Sequence, residues 1–205
     1  VIEEIIIKLT TSLSKENKSK NLCMAGGVAL NCVANGKIIK NNLFENIWIQ
    51  PAAGDAGGSL GAALAFWYKE LGKKRILESG EDQMRGSYLG PSFDDHQIEK
   101  TLKSLNGKYT KLDEENLIST IADQIKNGKV VGWFQGSMEF GPRALGARSI
   151  IADPRSEEMQ KKLNLKVKFR ESFRPFAPSV LREDLNDWFD LNQDSPYMLL
   201  VADVQ

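Results

Sequence analysis

Apolar positions recur along the chain in two rhythms that alternate, and together they predict an α/β protein. Ile2, Ile5, Ile6 and Leu9 fall at three- and four-residue spacing and predict a helix over 2–12. The short apolar run 22–24 reads as a strand, followed by a Gly-Gly turn and a helix over 28–40. A second short strand over 46–49 leads through a glycine-rich loop into a helix over 57–71. Residues 73–87 are polar with little periodicity and read as a linker. Beyond it, Asp94 and Asp113 stand where helix N-caps are expected. Leu117, Ile118, Ile121, Ala122 and Ile125 form a helical stripe that Gly128 ends. The run 130–134 reads as a buried strand. A long Gly/Pro/Arg-rich segment follows, with helices expected near 157–163 and 183–189 and a strand-like run at 198–202. The chain contains no internal repeat and no low-complexity tract. The expected organisation is a first domain over 1–72, the linker over 73–87 and a second domain over 88–205.

With 205 residues, 41% hydrophobic and 26% charged, the chain can bury one large or two small cores. Lys+Arg and Asp+Glu are both 27, and this balance excludes a protein drawn as a whole to nucleic acid. Cys23 and Cys32 are too few for a disulfide framework and lack metal-ligand spacing, so a reduced, cytoplasmic setting is expected. No apolar run approaches the ~20 residues that span a bilayer, so no membrane partner is expected. The helical pattern is already under way at Val1, and the chain ends just after 198–202. Both ends read as cuts through folded protein.

Two glycine turns carry the first candidate chemistry. Ala25-Gly26-Gly27-Val28-Ala29-Leu30-Asn31 lies between a strand and a helix. Glycines there let backbone approach a ligand, and a helix N-terminus offers free N–H groups to an anion. Asn31 is expected on the first helical turn, within reach of a ribose or base. A tight turn without a ligand is the other reading of this segment. Pro51-Ala52-Ala53-Gly54-Asp55-Ala56-Gly57-Gly58 again leads from a strand into a helix. Asp55 is either the N-cap of that helix or an oxygen ligand for a cation beside phosphates. One βα unit apart, the two turns together suggest a nucleotide held between two helix N-termini.

The second candidate is cationic. Between Arg143 and Arg174 stand nine Lys/Arg and four acids, a local charge of +5 in a neutral chain. Lys161 and Lys162 fit a solvated helix face. Arg143, Arg148, Lys168, Arg170 and Arg174 sit among Gly, Pro and Phe, as ordered loops do. Arginine forks with a lysine suit a small, doubly charged phosphate. A salt-bridged loop is the alternative. A nucleic-acid patch fits less well, because aromatic residues are few here and the cations cluster.

The segment Met138-Glu139-Phe140-Gly141-Pro142-Arg143-Ala144-Leu145-Gly146-Ala147-Arg148-Ser149-Ile150 resembles the most characteristic stretch of the NodU/CmcH carbamoyltransferases. Residues 164–178, from Asn164 to Pro178, resemble the family's next block, and the two glycine turns resemble its nucleotide-side motifs. The four motifs run in order over 25–178. The resemblance implies the C-terminal piece of an actin-like ATPase-type domain followed by a YrdC-like twisted α/β domain. It implies transfer of a carbamoyl group from carbamoyl phosphate to a hydroxyl of a small-molecule acceptor, using ATP, through a carbamoyl-adenylate. Carried over by motif, Arg143, Lys168 and Arg174 would hold carbamoyl phosphate and the ATP phosphates, with Arg148 and Arg170 secondary or bracing the loop. Gly26, Gly27, Asn31 and Gly54 would line the adenylate, and Asp55 would ligate a divalent metal, iron-like or Mg, in the full-length protein. The family's metal histidines and a further cationic motif are not in this sequence. Its one histidine, His96, reads as surface. The chain alone is therefore expected to lack turnover and, with apolar surface bared, to be able to pair with itself. A tRNA threonylcarbamoyl-type enzyme and a non-catalytic nucleotide- or phosphate-binding module are the alternatives.

Overall fold

The computed structural model describes residues 1–76 and 82–205, and it is a mixed α/β structure. It divides into two compact units. One is formed by 1–89, 139–145 and 180–205, the other by 90–138 and 146–179. This partition differs from the expected 1–72, 73–87 and 88–205. Two segments well beyond the expected linker fold with the first unit, because their apolar residues enter its core.

In the first unit, helix α1 (Ile2–Glu16) precedes strand β1 (Asn21–Met24), then a 3₁₀ turn over Gly27–Leu30, helix α2 (Cys32–Lys40), strand β2 (Asn46–Ile49) and helix α3 (Asp55–Ala65). Helix α3 runs on as a π-helical turn over Phe66–Glu70. Strands β1 and β2 pair in parallel, with Asn21 opposite Asn46 and Met24 opposite Ile49, as a βαβ connection requires. One core cluster joins Ile6, Leu22, Ala34, Ile38 and Phe44. A second joins Ala29, Ile49 and Ala53 to Met84, Tyr197 and Leu199, with Phe140 and Leu145 packed against it. Of α1's expected apolar face only Ile6 is buried, while Ile2, Ile5 and Leu9 are exposed.

The expected linker is partly core. Met84 and Ser87 are buried, and Ser87 O accepts from Phe140 N at 2.6 Å. Polar composition conceals this because one methionine supplies the anchor. Leu77–Glu81 of that stretch lie outside the described residues. The run 198–202 is not a strand here. Met198 takes a left-handed φ of 53°, and a single antiparallel bridge joins Phe189 to Val204. The expected helix near 183–189 is a 3₁₀ turn over Arg182–Asp184 followed by a short helix, Leu185–Trp188.

In the second unit, α4 (Asp95–Ser104) starts at Asp94, whose carboxylate accepts from Gln97 N while the Gln97 side chain returns to Asp94 N, a complete capping box. Helix α5 (Glu114–Lys126) is capped by Asp113, and Gly128 follows its end at φ 73°. Its apolar stripe is largely uncovered, with Leu117 and Ile118 exposed. Strand β3 (Val131–Phe134) pairs antiparallel with β4 (Arg148–Ile151). The strand expected to be buried has exposed Gly132 and Phe134. Helix α6 (Met159–Leu163) runs into a π-helical turn over Asn164–Lys168. Among the described residues, no helix is long and apolar enough to cross a membrane, and Cys23 and Cys32 are free thiols.

Candidate functional site

Parallel neighbours release their chains at the same edge, which is where α/β sheets bind ligands. Here β1 releases Ala25–Gly27 and β2 releases the loop into α3. Between them lies a cavity of about 430 Å³, in the range of small-molecule sites. Ala25, Gly26 and Gly27 line one side, and Gln50, Ala53, Gly54, Asp55, Gly57 and Gly58 the other.

The two turns are fastened to each other by Gly26 N, which donates to Ala53 O at 2.9 Å. Gly26 has φ 93°, open to glycine and strained for other residues. Gly57 is needed for space, since a Cβ there would lie 2.1 Å from Ala52 O. The first turn of α3 supplies N–H groups. Its first intrahelical bond runs from Gly58 N to Gly54 O at 3.1 Å, so the N–H groups of Asp55, Ala56 and Gly57 have no partner within the helix. With the positive end of the helix dipole, they form a seat for an anion.

Asp55 is exposed and is the first helical residue, not the cap. Gly54 holds the cap position, and the helix begins two residues before the expected 57. Among the described residues no three His, Cys, Asp or Glu side chains gather. A lone carboxylate is below the ligand count of a metal site, so the residues present do not fit a metal centre. His96, on α4 of the other unit, is exposed as expected.

Asn31 is the N-cap of α2, its Oδ1 accepting from Ala34 N at 3.2 Å, with the 3₁₀ turn preceding it. The expected single helix over 28–40 breaks there, so Asn31 is not on the first turn of a helix that begins at the glycines, and it is not among the lining residues. Gln50 also lines the cavity, outside both glycine motifs picked out in the sequence. The position of Gln50 directly after β2 was the available signal.

The cationic residues divide between the units. Arg143 belongs to the first, where its Nη2 donates to Leu30 O at 3.1 Å, in the turn beside the cavity. Its Nε is buried and has no hydrogen-bond partner among the described residues. Two residues before it, Gly141 has φ 120° and sits so close to Ala52 that a Cβ would be 3.0 Å from Ala52 Cβ. The segment 139–145 therefore backs both glycine turns.

In the second unit, Arg148 stacks on Phe134, 3.4 Å from its ring centroid, and its guanidinium donates to Gln135 O and Ala147 O at 2.9 Å each. These contacts hold the Arg148 guanidinium against β3 and the residues flanking it. Lys168 ends the π-helical turn that starts at the fully buried Asn164, and Arg170 and Arg174 follow on a loop folded around Asn164. Asn164 Nδ2 donates to Ser172 O at 3.1 Å and to Arg174 O at 2.8 Å, while its Oδ1 accepts from Arg170 Nε at 2.6 Å. Arg170 also lies over the Phe176 ring. Phe169, at φ 49°, reverses the chain. Lys168 and Arg174 are left on the surface of this ordered loop. Arg174 pairs with Glu171 at 2.7 Å, across an exposed contact that an incoming anion could replace. Hydrogen bonding to its own backbone N–H, and then to Arg174, holds the Glu171 carboxyl below its ordinary value.

Residues 1–64 match the family description "Carbamoyltransferase N-terminus" and residues 122–205 match "Carbamoyltransferase C-terminus". The chain belongs to the carbamoyltransferase family. It is 55% identical to an uncharacterised protein of Synechocystis over the whole chain and 34% of that relative. To Nodulation protein NolO of Bradyrhizobium diazoefficiens it is 43% identical over the whole chain and 37% of the relative. To Nodulation protein U of Rhizobium fredii it is 35% identical over 88% of the chain and 28% of the relative. The chain thus spans about a third of the length of these relatives.

Proposed function

We propose that this chain is part of an O-carbamoyltransferase that moves a carbamoyl group from carbamoyl phosphate to a hydroxyl of a small-molecule acceptor, through an ATP-derived carbamoyl-adenylate. The observation that carries the reading is the cavity between two glycine turns at the ends of parallel strands, in a chain matched at both ends by carbamoyltransferase families. On this reading the first unit is the end of an actin-like domain, and the YrdC-like domain follows it in the chain. The adenylate phosphate sits on the N–H groups of Asp55, Ala56 and Gly57, beside Gly26, Gly27 and Gly54. The acceptor oxygen bonds to the carbamoyl carbon as its hydroxyl proton passes to solvent, the bond from that carbon to the phosphate oxygen breaks, and AMP leaves. Backbone donors offset the charge that AMP takes with it. Lys168 and Arg174, presented by the Asn164-centred loop, hold carbamoyl phosphate and the phosphates of ATP. Arg143, expected among the phosphate ligands, on this reading supports the glycine turn and brings positive charge near it. No step is assigned to a metal. The free thiols suit a cytoplasmic setting.

Calorimetric titration with carbamoyl phosphate, and separately with ATP, tests this. A charged hydrogen bond contributes about 1.5–3 kcal/mol, so Lys168→Ala and Arg174→Ala should each weaken carbamoyl phosphate binding roughly 10- to 100-fold. Saturable binding that survives both changes would remove the phosphate role from this loop.

A further inference from the structure

We propose that Asn35 is a positioning residue that sets the shape of the first glycine turn, and that it does so by tying the turn to the 199–201 segment. Asn35 is 1% exposed. Its Nδ2 donates in two directions, to Ala29 O at 2.8 Å and to Leu199 O at 3.0 Å. Ala29 lies two residues after Gly27 of the cavity wall, and both Ala29 and Leu199 are buried, so neither carbonyl could turn to water if the amide were removed. Two acceptors fix the NH₂ face of the amide. Its Oδ1, buried with no hydrogen-bond partner among the described residues, adds no competing tie.

The neighbouring residue adds steric coupling to the electrostatic one. Gly36 passes so close under Val201 that a Cβ would lie 2.5 Å from Val201 O. Asn35 and Gly36 thus form the seat on α2 across which the 199–201 segment runs. The next carbonyl of the turn, Leu30 O, is held from outside as well, by Arg143. Two successive carbonyls of a cavity-forming turn depend on donors outside that turn. The turn's own bonds, Ala29 N to Gly26 O at 2.9 Å and Asn31 N to Val28 O at 3.0 Å, close it locally but do not orient it. Displacing the 199–201 segment should therefore alter the cavity without touching a lining residue.

The effect on ligand rests on the nucleotide reading of the cavity, so the test has one arm that needs no ligand. Amide hydrogen exchange at Ala29 and Asn31, and calorimetric binding of AMP, are measured on this chain and on Asn35→Leu, Gly36→Ala and Ile38→Val. The first removes both donors at similar volume. The second pushes on Val201 while keeping the amide. The third trims a fully buried residue of the other core cluster as a control for lowered stability. Asn35→Leu and Gly36→Ala should each speed exchange at the two amides at least tenfold and weaken AMP at least tenfold, while Ile38→Val leaves both unchanged. Unchanged exchange in folded Asn35→Leu, or an equal effect in Ile38→Val, would overturn the proposal. If Asn35→Leu does not fold, Gly36→Ala decides by the same criteria. Failure of the unaltered chain to bind AMP would count against the nucleotide reading, and the exchange arm would then decide the role of Asn35 alone.

Discussion

Replacing Gly57, Gly58 and Gly61 by alanine, one at a time, should give three different outcomes from one chemical change. All three lie in α3, and alanine favours a helix over glycine by about 0.8–1 kcal/mol. At Gly61 an added Cβ meets none of the described residues within 4 Å, so the full propensity gain should appear and ligand binding should not change. At Gly58 the Cβ also meets nothing, but the residue lines the cavity. The protein should gain a similar amount, while the methyl occupies space that a phosphate needs and AMP binding falls. At Gly57 the Cβ would sit 2.1 Å from Ala52 O, about an ångström inside normal contact. Ala52 is fully buried and cannot yield easily. Overpacking costs about 1–3 kcal/mol. Taking the upper end and subtracting the helix gain leaves a net loss of about 2 kcal/mol. Urea unfolding measures each variant, and with a slope near 2 kcal/mol/M that loss lowers the midpoint by about 1 M. Equal stability for the Gly57 and Gly61 variants would refute the close approach on which the cavity wall depends.

Two pH predictions follow from single side chains. Hydrogen bonds from the Arg155 side chain and then its backbone N–H, outweighing burial, hold the Asp153 carboxyl at about 2. A depressed pKa stabilises the fold above the unfolded value, near 4, and that stability is lost as pH falls from about 4 to about 2. Asp153→Asn should lose this dependence, and an unchanged acid transition in the variant, followed at the Arg155 amide resonance, would refute the pairing. Burial, followed by the hydrogen bond to Asp82, raises the Tyr197 phenol to about 12. Its contribution is intact below pH 10 and disappears as pH rises from about 10 to about 12. In a phenolate absorbance titration one of the four tyrosines should ionise last and be missing from Tyr197→Phe, whereas common ionisation near pH 10 would sink the assignment.

Local signals were legible in the sequence and non-local ones were not. Asp94 and Asp113 cap their helices because an N-cap is decided within three residues, and Gly128 ends α5 for a similarly local reason. The strands at 21–24 and 46–49 were visible from their apolar runs. Strand β4 was hidden, since Arg148-Ser149 at its start carries no strand signature and only pairing with β3 makes it a strand. The run 198–202 has strand composition, but its Leu199 and Leu200 enter a core instead of a ladder. At the site, the glycines and Asp55 stood out by residue type. Gln50 and Asn35 did not, because an isolated amide has no pattern until the fold shows what it touches.

The family blocks are continuous in sequence, and the compact units are not. The C-terminal block covers 122–205, yet its residues 139–145 and 180–205 belong to the unit whose cavity is lined wholly from the N-terminal block. Tyr197 and Leu199 lie in the same core cluster as Ala29 and Ala53, and full burial of a large apolar side chain contributes about 1.5–3 kcal/mol. Much of what keeps Ala29 and Ala53 in place therefore comes from residues more than a hundred positions away. The glycines let the backbone form the cavity, and the later segments select that conformation. A chain divided at a block boundary would keep every lining residue and lose the contacts that shape them, so the carbamoyltransferase blocks are matching units of sequence and not independent units of folding.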